Sequence, residues 1–446
     1  MVVVKAAYPI VVDHACGLPT LCANRAFAFR RLESWVYHGR VANKRVAAKQ
    51  RVLLVGGGPF QLEVLRAARR RAEVAVVDGS PHAPGLALAD YPRVVDISDT
   101  AAVVRVAREL AVSGVVTAAS DVAVPAVSEV VRALGLRGLP PDVAQRCRDK
   151  LQCAKSLRAQ GQAVPQTLAV DDLAEAEAAA HALGGYPLIT KPRSGGGGRG
   201  VSLVRSHAEL APALACARRA YGPGQQGVLI QEFVGGESVG VEAFFVSGEL
   251  AAAFVLDDQF EPGYISPVGH SLPPSLSAAS VQAVEDAVAG FGRALGLRDG
   301  PANFDLRFER GRVVLLEINP RLGGNSITDL VRSAYGVDLA EATVCAALGH
   351  DPLPILARKV LQPTAARLIL KHAHGVVRMR DSLSELAART GVLSLDVLVS
   401  DGQPAHVRVD EWTILGRTLV HAASAAEAAE LAHQITRDAA DRIELD

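Results

Sequence analysis

From Arg51 onward the chain alternates apolar runs with amphipathic stretches, and no other feature restricts its fold as much. RVLLVGGG reads as a strand ending in glycines, PFQLEVLRAARRR has helical spacing, and AEVAVVDGS is a second strand. VVRVAREL, AVSGVVTAAS and AVPAVSEVVRALGL continue as helix, strand and helix. Strands separated by helices cannot pair as hairpins. They form right-handed βαβ units, which predicts a doubly wound, Rossmann-like parallel α/β domain over residues 50–140. Gly56 and Gly58 match the first two positions of a dinucleotide fingerprint, with Asp78 where a ribose-binding acid would stand. The third position is Gln61, however, and a tight strand-to-helix turn needs the same glycines.

A different pattern begins near residue 141. RCRDKLQCAKSLRAQ reads as a helix stopped by Gly161, and Pro165 opens an extended segment. DDLAEAEAAAHALG is a helix with acids in its first turn, which suits the helix dipole. YPLITKP, VSLV and GVLIQEFV are strands, and SVGVEAFFVSGELAAAFVL is a hairpin turning at Ser247-Gly248. A Pro/Gly-rich loop is expected from Asp257 to Pro274. SVQAVEDAVAGFGRALGL is a helix, and ANFDLRFERGRVVLLEINP is a hairpin turning at Glu309-Arg310-Gly311. Residues 361–446 read as a small C-terminal α/β piece, and residues 1–49 as a basic extension, either a surface arm or a partner-binding segment.

Charge and length narrow the function. The 446 residues exceed one compact core, and 47 Lys and Arg balance 47 Asp and Glu. No global field draws the chain to nucleic acid or to a membrane surface. No apolar run reaches membrane-spanning length, the N-terminal run reads as no signal peptide, and the scattered cysteines suggest reduced thiols. Cytoplasmic location is therefore expected.

Two clusters carry chemistry. In SGGGGRG, Ser194, Gly195, Gly196, Gly197 and Gly198 leave the backbone N–H groups open to an anion, and Lys191 precedes them at a strand end. In FDLRF…LLEINPRLGGN, alternation sets Glu317 and Asn319 on one face, with Asp305 across the turn. These hard oxygen donors suit Mg²⁺. Arg321 and Arg307 stand near the same ions, able to hold a carboxylate or a transferring phosphoryl group. Gly323, Gly324 and Asn325, at an expected helix start, offer a cradle for a substrate carboxylate or an oxyanion.

In order and spacing, these features resemble the ATP-grasp superfamily, specifically its carboxylate–amine ligases, over roughly residues 50–350. The resemblance implies a two-lobed α+β grasp over 141–360 with a mobile lid at about 155–232, preceded by the parallel domain. It implies that Lys150, in DKLQCAKSLRAQ, and Lys191 reach the nucleotide phosphates, and that Glu232, Phe233 and Val234, in LIQEFVGGES, hold adenine through backbone groups. Glu237 falls where the family binds ribose hydroxyls. Asp305, Glu317 and Asn319 fall on the metal ligands, for two Mg²⁺ ions or Mn²⁺ in their place, and Arg321 beside the acyl phosphate. PVGHSLP resembles a substrate-side loop in which His270 contacts substrate or takes a proton from the amine.

The implied reaction is an ADP-forming ligation. ATP phosphorylates the carboxylate of an amino acid or small peptide, and an amine displaces the phosphate, in primary or specialised biosynthesis. Small-molecule substrates and a homodimer are expected, with neither nucleic acid nor membrane as partner. Carboxylation or carbamoyl phosphate synthesis is the alternative within the superfamily, disfavoured by the absence of a biotin-type lysine motif, a glutaminase set or a second grasp unit. A non-catalytic nucleotide-binding module and a dinucleotide oxidoreductase are the alternatives outside it.

Overall fold

The computed structural model describes residues 49–220, 227–264, 266–405, 407–409 and 412–446. The N-terminal extension thus lies outside the described residues except for Lys49. Strands β1 (Arg51–Val55), β2 (Glu73–Asp78), β3 (Tyr91–Val94) and β4 (Gly114–Val116) form a parallel sheet in the order β3-β2-β1-β4. Helices Leu62–Arg71 and Thr100–Glu109 are crossovers, from β1 to β2 and from β3 to β4; β2 and β3 are joined without an α-helix, and helix Val124–Leu134 follows β4. The glycine turn after β1 is structural. Asp78 accepts the Gly57 N–H at 2.7 Å and the Ser80 N–H at 2.8 Å, so this acid closes the turn. Gln61 is buried and donates to the Ala118 carbonyl at 2.6 Å, tying the start of the first helix to the segment just after β4.

The next lobe is antiparallel. β5 (Thr167–Val170), β6 (Leu188–Pro192), β7 (Ser202–Val204) and β8 (Val228–Glu232) pair in the order β5-β8-β6-β7. Helices Leu173–Ala182 and His207–Arg219 cover it, giving a core of its own that includes Ala176, Leu188, Leu210 and Ile230. The helix expected before it is two helices, Pro141–Arg148 and Lys150–Ala159. Asp149 breaks them because its carboxylate caps the Leu151 and Gln152 N–H groups, each at 3.1 Å. Lys150 therefore stands at a helix start.

The central sheet runs through most of the remaining chain. β9 (Glu237–Val246) and β10 (Glu249–Gln259) form the first hairpin, followed by β11 (Gly269–Leu272). β12 (Gly300–Glu309) and β13 (Arg312–Asn319) form the second hairpin. β14 (Thr364–His372), β15 (Gly375–Met379), β16 (Val392–Val397), β17 (Pro404–Ala405), β18 (Val407–Val409), β19 (Trp412–His421) and β20 (Ile443–Leu445) complete the strands. The large sheet is antiparallel in the order β13-β12-β9-β10-β11-β14-β19-β16, with β18 on β19. One face packs on helix Ala278–Leu295 through Val241, Phe245, Val284 and Phe291.

Two expectations change here. The segment Asp257–Pro274 is not all loop: β10 runs through both acids to Gln259, and β11 pairs with β10 and β14. Acidic residues at the end of an apolar run look like a strand end, but these belong to the polar wall of a cleft. The C-terminal segment, in turn, is not an appendage, since β14, β19 and β16 extend the central sheet. Its remaining strands form the small sheet β17-β15-β20, packed under helix Ala425–Asp441.

Candidate functional site

Register assembles the site. Asp305 on β12 lies opposite Glu317 on β13, and Asn303 lies opposite Asn319. The Asn319 amide reaches Glu317 Oε1 at 3.4 Å. Burial, and next the facing Glu317, raises the Asp305 carboxyl above its ordinary range. Among the described residues no hydrogen-bond donor reaches the Asp305 carboxylate, and no group of three or more His, Cys, Asp and Glu is placed to hold a metal. The candidate set is thus two facing carboxylates and an amide, an oxygen-only donor set suited to Mg²⁺.

Two lysines converge on the same acids. Lys150 Nζ lies 3.4 Å from Glu317 Oε2 and donates to the Gly195 carbonyl at 2.6 Å. Lys191 is buried on β6. Burial, and next the nearby Lys150, lowers its pKa to about 8, against the attraction of Glu317 and Asp305. A buried ammonium beside a second one lacks a full counter-charge, which an anion between them would supply. Arg193 grips Asp149 with Nε at 2.9 Å and Nη2 at 2.6 Å, fixing the end of β6 to the start of the Lys150 helix. Burial would raise the Asp149 carboxyl, but Arg193 and the capped N–H groups outweigh it and hold it low.

The glycine loop closes this side of a cleft of about 1570 Å³. Gly195, Gly197 and Gly198 take positive φ, which only glycine adopts without strain. Gly195, Gly196 and Gly197 line the cleft with Lys150, Glu317, Asn319 and Asn325. A narrower recess adjoins it along Lys150, Gln231, Leu316 and Glu317. Beside it β8 ends at Glu232. The Glu232 N–H donates to the Gln166 carbonyl at 2.9 Å, so the hinge's remaining backbone groups are those of Phe233 and Val234. Phe233 is exposed.

Several expected residues take other places. Glu237 starts β9, and alternation sets it on the face of the core residues Val239 and Val241, away from Asp305 and Glu317. Ser238, the next residue, lies on the face of Asp305 and donates to Asp258 at 2.8 Å. His270 lies on a strand rather than a loop. It is buried, and its Nδ1 meets Asp258 Oδ1 at 2.9 Å. Arg307 shares this face and donates to the Gly236 carbonyl at 3.3 Å, under the hinge rather than beside Arg321. The Gly323 N–H is committed to Glu242, 3.1 Å from each oxygen, so it is not open to substrate. Gly324 follows it, and Asn325 faces the cleft with its amide donating to Pro267 at 3.2 Å.

Sequence reasoning passed over Asp121, Asp258 and Glu242. Arg321 is buried, and Nε and Nη2 meet Asp121 Oδ1 at 2.9 and 2.6 Å. Asp121 follows β4 and lies 200 positions away in the chain. The pairing of Ala118 with Leu322 brings the two together. Glu242 was readable in one respect, as a single acid among the apolar residues of β9.

Burial pushes the Glu242 carboxyl up to about 7, against the lowering pull of the Gly323 N–H, Arg321 and Asn303. Its value when folded exceeds its ordinary 4.5, so its stabilising contribution is complete below pH 4.5 and is lost as the pH rises through about 7. That loss is roughly 3 kcal/mol at pH 8. The melting temperature of Glu242→Gln relative to the parent is therefore expected to rise between pH 5 and pH 8.5 in a pH-resolved melting series. A difference that stays flat would contradict this assignment.

Comparison with known proteins agrees with this geometry. Residues 184–329 match the model of the ATP-grasp domain. The chain is 28% identical over 303 residues to an uncharacterized protein of Sinorhizobium fredii, covering 67% of this chain and 62% of that one. It is 32% identical over 202 residues to carnosine synthase 1 of Gallus gallus, covering 43% of this chain and 22% of the synthase. The chain thus spans less than two thirds of the length of either relative. The crystal structure of an L-amino acid ligase from Bacillus licheniformis superposes with a TM-score of 0.74 at 20% identity, covering 88% of this chain and 98% of the ligase, which establishes the shared fold. Among the described residues no helix is long and apolar enough to cross a membrane. Strands β6 to β8 of the antiparallel lobe, the glycine loop and the acid-bearing hairpin fall within the residues that match the ATP-grasp domain, 184–329.

Proposed function

We propose that the protein is an ADP-forming ligase that activates a small carboxylate with MgATP and joins it to an amine, with an amino acid or small peptide as the carboxylate. The convergence of Lys150 and Lys191 on the Asp305–Glu317 pair carries this reading. Two ammonium groups beside two facing carboxylates form a site for a polyphosphate together with a divalent cation. Asp305, Glu317 and Asn319 would hold Mg²⁺, which when bound would supply neutralisation of the phosphate charge.

The chain's own residues divide the remaining work. Lys191 and Lys150 neutralise phosphate oxygens, and Lys150 exchanges its Gly195 contact for one of them. The backbone of Ser194–Gly198 wraps the phosphates and shields the acyl phosphate from water. Phe233 and Val234 hold adenine through backbone groups. Ser238, with Asp258, takes the ribose-side position that Glu237 does not reach. Arg321 steadies the charge on the transferring phosphoryl group, and Asn325 lies where the carboxylate substrate enters. His270 keeps its ring orientation through Asp258.

An ADP-release assay over pairs of amino acids and amines, with Mg²⁺ and ATP, tests the proposal. Release is expected only when both partners are present, with amide product equimolar to ADP. Release that requires bicarbonate would transfer the site to carboxylation. An absence of turnover despite nucleotide binding would make the protein a binding module.

A further inference from the structure

The Asp121 carboxylate touches two parts of the site at once. Its Oδ1 receives Arg321 Nε and Nη2 at 2.9 and 2.6 Å. Its Oδ2 faces the Gly196 backbone so closely that an added Cβ on Gly196 would overlap it. The loop that carries Asp121 is anchored, since the Ala119 N–H donates to the Leu322 carbonyl at 3.0 Å, next in sequence to Arg321. Asp121 itself is three-quarters buried, with a side-chain exposure of 24%. The parallel domain thus reaches both the buried arginine and the tip of the glycine loop with one side chain.

We infer that Asp121 is a positioning residue that fixes the Arg321 guanidinium with one oxygen and forms, with the other, the seat on which the glycine loop closes. The inference deepens the ligase reading, because it makes loop closure and arginine placement a single event. A side chain at 196 would press on Asp121 Oδ2, while Oδ1 is held by Arg321. Arg321 in turn keeps the carboxylate aimed, so loss of either partner releases the loop.

Trypsin reads this directly, because Arg199 is exposed within the loop and cleavage follows the population of the open form. In nucleotide-free protein, Asp121→Ala and Arg321→Ala are each expected to speed cleavage after Arg199 by about fivefold, and the double variant by no more than either alone. Asp121→Asn keeps the side-chain volume and is expected to speed it as well. Gly196→Ala is expected to speed cleavage in the parent and to add nothing in the Asp121→Ala background, where the overlap is gone. Parental cleavage in all the Asp121 variants, or the same Gly196→Ala factor in both backgrounds, would overturn the inference. A separate arm adds Mg²⁺ and a non-hydrolysable ATP analogue to the parent. If the loop gains no protection there, the nucleotide reading fails, while the nucleotide-free comparisons still decide the role of Asp121.

Discussion

Glu317→Gln is expected to lower turnover by at least about 100-fold, because even outer partners of metal ligands affect activity 10- to 100-fold. The substitution keeps the shape of the side chain and removes one of two facing negative charges. The remaining donors, Asp305 and Asn319, hold a divalent cation less tightly, so the Mg²⁺ concentration for half-maximal rate rises. The nucleotide-free protein responds in the opposite direction. Asp305 is raised first by burial and next by Glu317, so losing the Glu317 charge relieves a repulsion. Against this, Lys150 loses its 3.4 Å partner, a partly screened term, and Lys191 loses one of the two carboxylates that attract it while Asp305 remains. Melting without nucleotide is therefore expected at or above the parental temperature, beside a near-complete loss of activity. A variant that is both inactive and strongly destabilised would mean that Glu317 serves the fold rather than a metal.

Lys191→Met is the second large effect. An ammonium that meets phosphate oxygens contributes about 1.5–3 kcal/mol, so MgATP affinity is expected to fall roughly 10- to 100-fold. Burial sets the sign of the stability change. The Lys191 pKa is lowered from 10.5 to about 8, so its favourable contribution is present above pH 10.5 and is lost as the pH falls through about 8. At pH 7 the charged lysine therefore costs the nucleotide-free protein stability that methionine restores. The variant should melt higher than the parent at pH 7, with a gap that closes as the pH rises toward 10. It should also lose the upward shift in melting that MgATP gives the parent through mass action. Equal nucleotide-induced shifts in both proteins would show that Lys191 does not face the phosphates.

How much of this was legible depended on whether the signal was local. The βαβ alternation of 51–134 and the two hairpins follow from periodicity and turn residues, and they hold in the structure. The short Arg310-Gly311 turn sets the hairpin, but its register alone would pair Asp305 with Leu316; a bulge at that point brings Glu317 opposite Asp305, and the bulge left no mark in the sequence. Long-range contacts left no trace either. Asp121 meets Arg321 across 200 positions, and nothing in a lone Ser-Asp after a strand marks it as a partner. His270 was read as a loop residue because Asp257 and Asp258 interrupt an apolar run. In the sheet those acids are tolerated because Asp258 finds Ser238 and His270. Glu237 stands one residue of parity from Ser238, which in a strand reverses the face.

The most direct test of the central claim is the fate of the carboxylate oxygen. The protein is incubated with Mg²⁺, ATP, amines and a mixture of amino acids whose carboxylates carry ¹⁸O, and the released phosphate is read by mass spectrometry. Passage through an acyl phosphate leaves one ¹⁸O in each inorganic phosphate formed with ADP. Phosphate without ¹⁸O, its fourth oxygen taken from solvent, or release of AMP and pyrophosphate, would contradict transfer of the terminal phosphoryl group to an acid in this cleft.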